Sequence, residues 1–122
     1  MRITADTNVL LRLVLADNET QGLAAIETME GASLVAISVH SLCELAWVLG
    51  ARNAVPRLDI AAAIRGLVDA SNVIVNRPEA EPGLRVLDAG GDFADGVIAF
   101  DGQFLGGETF TSFDKKAMKR RE

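Results

Sequence analysis

Asp92 and Asp95 stand three residues apart in the stretch GGDFADGVIAF, inside an otherwise apolar, helix-like pattern. At that spacing two carboxylates share one side of a helix and repel each other. A helix N-terminus relieves part of the repulsion, because its dipole favours negative charge in the first turn. That accounts for one acid more readily than for two. Asp92, after two glycines, is expected to be the N-cap, its carboxylate accepting from the amide of residue 95. Asp95 has small neighbours, Ala94, Gly96 and Ala99, which leave room for a metal ion or a close backbone. Three more acids suit the same chemistry: Asp6 after RITA, Glu44 within VHSLCELAWVLGAR, and Asp114 after ETFTSF. Taken singly, each has a structural explanation as a cap, a turn residue or a solvated side chain. Gathered together and unpaired, they would raise one another's pKa. A divalent cation removes that penalty, and an all-oxygen set selects Mg2+ or Mn2+ over zinc. Such a centre can activate water for phosphodiester hydrolysis.

The elements that would position these acids alternate along the chain. RITAD, SLVAIS, NVIVN and ETFTSF are short and apolar and predict four strands. NVLLRLVLAD, TQGLAAIETMEG, VHSLCELAWVLGAR, LDIAAAIRGLVDA and DFADGVIAFDGQFLG predict helices, with DKKAMKRR a terminal one. The second helix closes on Gly31, and Asp59 is expected to cap the fourth. PEAEPGLRVLDAGG reads as helical only in its second half, with NRPEAEPG (76 to 83) as a connecting loop. The alternation predicts a parallel sheet covered by helices, with ligands beyond the carboxyl ends of the strands. Asp6 ends the first strand and Asp114 the last. On a helical projection Leu42, Leu45, Ala46 and Leu49 form one apolar face; Glu44 lies opposite, beside His40 and Trp47. Phe93, Val97, Phe100 and Phe104 share another apolar face, Asp101 reads as surface, and Cys43 as core.

A length of 122 residues predicts a single domain, 1–122, and 49% hydrophobic with 24% charged residues is a globular balance. The lone cysteine excludes an internal disulfide and fits a reducing compartment. No uncharged stretch reaches the roughly 18 residues a membrane span needs. Asp6 and Arg12 interrupt the apolar N-terminus and no small-residue cleavage site follows, so a cytoplasmic chain is expected. The net charge of −5 argues against binding nucleic acid through a general positive field. It leaves room for an enzyme whose acids surround a cation. The tail DKKAMKRRE holds five of the twelve Lys and Arg, as a solvated helix end or a small phosphate-contacting patch.

ADTNVLLRLVL, LCELAWVL, GGDFADGVIA and TFTSFD occur in an order and spacing that resemble the PIN domains, and within them the VapC-type toxins of bacterial toxin–antitoxin pairs. The resemblance covers essentially the whole chain. It implies a three-layer α/β fold, a short parallel sheet of about four strands flanked by helices, and a metal-dependent ribonuclease. Carried over residue by residue, it implies Asp6, Glu44, Asp95 and Asp114 as catalytic acids holding Mg2+ or Mn2+. Asp92 matches a frequent additional acid and is implied as an auxiliary metal ligand. Thr7, Asn8 and Ser112 stand beside these positions as hydrogen-bonding neighbours. An RNA substrate, a cognate antitoxin and a homodimer are implied as partners. The segment AFDGQFLGGETF departs from the commoner pattern, being glycine-rich and carrying Asp101 in place of a small apolar residue. Two rivals remain: a catalytically silent PIN-like binding module, and a phospho-accepting receiver domain. Against the second, NVIVN ends without an aspartate and the first strand ends with one acid rather than a pair.

Overall fold

Each strand of the sheet leads through two residues into a helix. In the computed structural model, which describes residues 1–16 and 18–113, β1 (Arg2–Thr4) passes through Ala5 and Asp6 into α1 (Thr7–Leu15). After α2 (Glu19–Gly31), β2 (Leu34–Ala36) passes through Ile37 and Ser38 into α3 (Val39–Ala51). After α4 (Arg57–Val68), β3 (Val73–Ile74) passes through Val75 and Asn76 into α5 (Arg77–Asp88), and α6 (Phe93–Phe104) follows. The strands lie in the order β1-β2-β3 and are parallel, with Ile3 opposite Val35 and Val35 opposite Val73. Parallel neighbours need long crossovers, and the helix pairs α1–α2 and α3–α4 supply them.

This repeated turn places Asp6, Ser38 and Asn76 at the carboxyl edge of the sheet, as the cap residues of α1, α3 and α5. The amide of Val9 donates to Asp6 Oδ1 at 3.1 Å, and that of Ser41 to Ser38 Oγ at 3.0 Å. Each such cap is worth about 1 kcal/mol. The core lies between the sheet and the helices: Val35, then Leu42, Leu45 and Leu49 of α3, Ile64 of α4, Leu84 and Leu87 of α5, and Phe93 of α6. The apolar face expected of α3 is therefore buried. That of α6 is buried only in part. Phe93 and Val97 enter the core, whereas Phe104 is 78% exposed and meets Phe100 edge-on at 5.1 Å.

Three expectations about the elements are corrected. Residues 108–113, expected as a fourth strand, do not form one, and among the described residues the sheet has three strands. Gly106 takes φ 96° and the Gly107 amide returns to the Gly102 carbonyl at 2.8 Å, so the chain leaves α6 through a tight turn. The terminal segment DKKAMKRR lies outside the described residues. Asp59 does not cap α4, because the helix opens earlier: the Pro56 carbonyl already accepts from the amides of Asp59 and Ile60 at 3.0 Å.

The third correction is α5, which is helical throughout, including most of the stretch expected as a loop. Pro78 sits in the first turn, where no amide is needed. Pro82 lies in the interior and removes one helical hydrogen bond. What offsets this is contact. A Cβ on Gly83 would come within 2.7 Å of the Phe93 ring, and one on Gly96 would overlap the Pro82 carbonyl oxygen. The prolines and glycines that resembled a loop are the contact surface of a very close helix pair. Among the described residues, no helix is long and apolar enough to cross a membrane.

Candidate active site

Thr7 is the first residue of α1, and its hydroxyl donates to Glu44 Oε1 at 3.3 Å. This bond spans 37 residues and ties the turn after β1 to α3. His40, one turn earlier on α3, brings Nε2 to 3.4 Å from the same oxygen. Glu44 is thus more than a solvated helix residue paired with His40. Its Oε1 is held from two sides while the side chain stays exposed. Asp6 precedes Thr7, and its Oδ1 is engaged by the Val9 amide. The sheet edge and two helix starts therefore bring Asp6 and Glu44 to adjoining positions.

Asp92 occupies the cap position of α6, with φ −96° and ψ 136°, but its carboxylate makes no capping bond. Its backbone carbonyl accepts from the Asp95 amide at 3.1 Å. The carboxylate turns instead to Arg57, whose Nη2 donates to Asp92 Oδ1 at 2.6 Å while Nε donates to the Gly91 carbonyl at 3.0 Å. The expected capping bond is replaced because a charge-assisted bond to a guanidinium is stronger than one to an amide. This also resolves the repulsion between the two acids. Arg57 neutralises Asp92, and Asp95 keeps the first turn of α6, where the helix dipole favours it. Sequence reasoning missed Arg57. The signal was a basic residue directly after Pro56, in a first turn whose dipole disfavours it.

Asp101 is exposed, as a surface residue was expected to be. The half-buried Cys43 thiol is pushed up to about 11, first by burial and then by the charges of Asp101 and Glu44.

Asp95 lines two depressions. One lies between α5 and α6 and includes Arg85 and Phe100. The other is a groove of about 690 Å3 between α3 and the starts of α4 and α6, where Asp95 is joined by Cys43, Trp47, Arg57 and Asp92. Asp114 lies outside the described residues. Among the described residues, no three His, Cys, Asp or Glu side chains come together closely enough to hold a metal ion. In donor chemistry the acids do fit a hard cation. Asp6 and Glu44 are carboxylates with one oxygen anchored, Asp6 Oδ1 by the Val9 amide and Glu44 Oε1 by the Thr7 hydroxyl.

The sequence profile of the PIN domain family matches residues 3–122, nearly the full length. No curated protein and no solved structure gives a significant match. PIN domains are typically metal-dependent nucleases.

Proposed function

The chain belongs to the PIN domain family, and from that premise we propose that it is a metal-dependent endoribonuclease, the toxin of a VapBC-type toxin–antitoxin pair. Asp6, Glu44, Asp95 and Asp114 are the acids that hold Mg2+ or Mn2+, with Asp92 as an auxiliary acid. The observation that carries this reading is the family match, which spans all five positions.

A bound divalent cation supplies charge neutralisation at the scissile phosphate and activation of water. The chain's own residues prepare the site. The Val9 amide holds one oxygen of Asp6 and leaves Oδ2 for a ligand. Thr7 fixes Glu44 through Oε1, so that α1 and α3 present their acids together. Arg57 pairs with Asp92 at the start of α6 and screens its charge from Asp95. No side chain acts as nucleophile. Cys43, half-buried and with its pKa raised to about 11, stays protonated at neutral pH and is a poor one.

The toxin assignment, the cognate antitoxin and the homodimer rest on the resemblance of the four motif segments. An acid-rich pocket also suits a basic side chain from an inhibitory partner. The test is cleavage of a pool of small structured RNAs by the purified chain, with Mn2+ or with EDTA, beside Asp95→Asn. Metal-dependent cuts that vanish in the variant are expected. One observation favours a second reading, a silent binding module: the described acids do not gather into a three-ligand group. A folded chain that cuts nothing across a broad pool and several metal concentrations would establish that reading instead.

A further inference from the structure

The groove beside Asp95 holds features that the acid chemistry leaves unused. Trp47, the only tryptophan in the chain, is 60% exposed on α3. The Arg52 guanidinium lies over its ring, 5.6 Å from the centroid. Arg52 does not line the groove itself but reaches its edge over Trp47, and among the described residues it makes no ion pair, whereas Arg57 in the groove wall is committed to Asp92. Trp47 and Asp95 line the same space of about 690 Å3, and Gly50, Ala54 and Ala94 keep its walls low. That volume suits a guest of nucleotide size.

Building on the nuclease reading, we propose that this groove is the subsite for one unpaired nucleobase beside the scissile phosphate. The base stacks on Trp47 and Arg52 holds an adjoining phosphate. Every base has a π-face, and aromatic rings with arginine planes are what proteins offer to unpaired bases. A duplex keeps its base faces stacked inside and has nothing to place on Trp47. The net charge of −5 sharpens the point: without a general positive field, phosphate contact must come from individual cations such as Arg52. A second copy of the chain covering the same groove would desolvate Arg52, which is costly unless it is paired. A nucleotide keeps a wet polar edge and supplies the phosphate.

The single tryptophan makes the test direct. The native chain in EDTA is titrated with decauridylate, decaadenylate and an abasic ribose-phosphate decamer of equal charge, following Trp47 fluorescence. Saturable quenching by the two base-bearing oligomers and none by the abasic one is expected. In the Mn2+ assay, on an RNA cut in the pool experiment, Trp47→Ala raises KM about 5- to 150-fold, the span of base–aromatic stacking. Its kcat and thermal melt change little, and Trp47→Phe restores most of KM. Arg52→Ala flattens the salt dependence of binding by about 0.7 in the log–log slope. An unchanged KM in Trp47→Ala, or equal quenching by the abasic oligomer, overturns the subsite while leaving the nuclease standing. So does a Trp47 signal that follows protein concentration rather than RNA, because a second copy then covers the groove. If the native chain neither binds nor cuts any RNA, the nuclease reading fails first and takes the subsite with it.

Discussion

Gly96→Ala separates the packing of the candidate site from its chemistry. A Cβ at position 96 would overlap the Pro82 carbonyl oxygen, and would stand 2.7 Å from the Pro82 carbonyl carbon and 2.9 Å from Gly83 Cα. Carbon atoms rest at about 3.5–4.0 Å, so α6 must move off α5 by about 1 Å. All three obstacles are backbone atoms, and no side-chain rotation can absorb the shift. Overpacking of this kind costs about 1–3 kcal/mol, and the upper end applies here. Alanine recovers about 1 kcal/mol of helix propensity over glycine. The balance is a loss of about 2 kcal/mol, or roughly 6–10 °C in Tm for a chain of this size. Asp95 directly precedes Gly96 and moves with α6, so cleavage should fall further than the unfolded fraction explains. The assay is thermal and urea denaturation by circular dichroism, with Gly66→Ala as the control. Gly66 is an exposed helical glycine with nothing within 4 Å of its added Cβ, and its variant should gain up to about 1 kcal/mol. If Gly96→Ala melts as high as Gly66→Ala, the close approach of α5 and α6 does not constrain this position and the reasoning is wrong.

Further expectations address single groups. Asp6→Asn keeps an oxygen for the Val9 amide, and asparagine caps as well as aspartate. Its melt should stay within about 0.5 kcal/mol of native while metal-dependent cleavage drops 100-fold or more; retained cleavage would remove Asp6 from the site. Arg57→Ala leaves Asp92 charged beside Asp95. The pair is partly exposed, so stability falls by at most about 1 kcal/mol, and the Mn2+ concentration for half-maximal cleavage should drop. An unchanged Mn2+ requirement would show that Arg57 does not screen the site. Cys43 keeps its proton to about pH 11, whereas the unfolded chain loses it near 9.0. Between those values the native state binds more protons than the unfolded one, so this group's contribution to stability is lost as pH rises through that window. Urea unfolding at pH 8 and 10.5 should show a steeper decline for the native chain than for Cys43→Ala, and parallel declines would refute the shift.

The parts of the fold that were legible in the sequence share a cause. Short apolar runs that lead directly into helix-period patterns are local signals, and α3 opens at Val39, where its segment was expected to begin. The apolar faces of α3 and α4 followed the helical period because the core lies on one side of each. What was hidden depends on partners distant in the chain. Pro82 and Gly83 look like a turn until α6 is laid against them. Arg57 gains its meaning only from Asp92, 35 residues away. α1 was expected to run through Asp17, yet Ala16 ends it with a left-handed φ of 51°, a conformation that glycine would have announced. Of the candidate acids, Asp6 and Glu44 could be placed by pattern, but the hydroxyl joining them could not, since Thr7 served equally well as a turn residue.

The bond between Thr7 and Glu44 also bears on the order in which the molecule is made. Both residues emerge from synthesis before Asp95 does. Leu42, Leu45 and Leu49 of α3 share a core with Leu84, Leu87 and Phe93. A nascent chain that stops short of α6 therefore carries Asp6 at the start of α1 and Glu44 on α3 while part of the apolar face of α3 is uncovered. Asp95 arrives only with the segment that completes the core, so on the proposed assignment the site would be assembled at the close of folding.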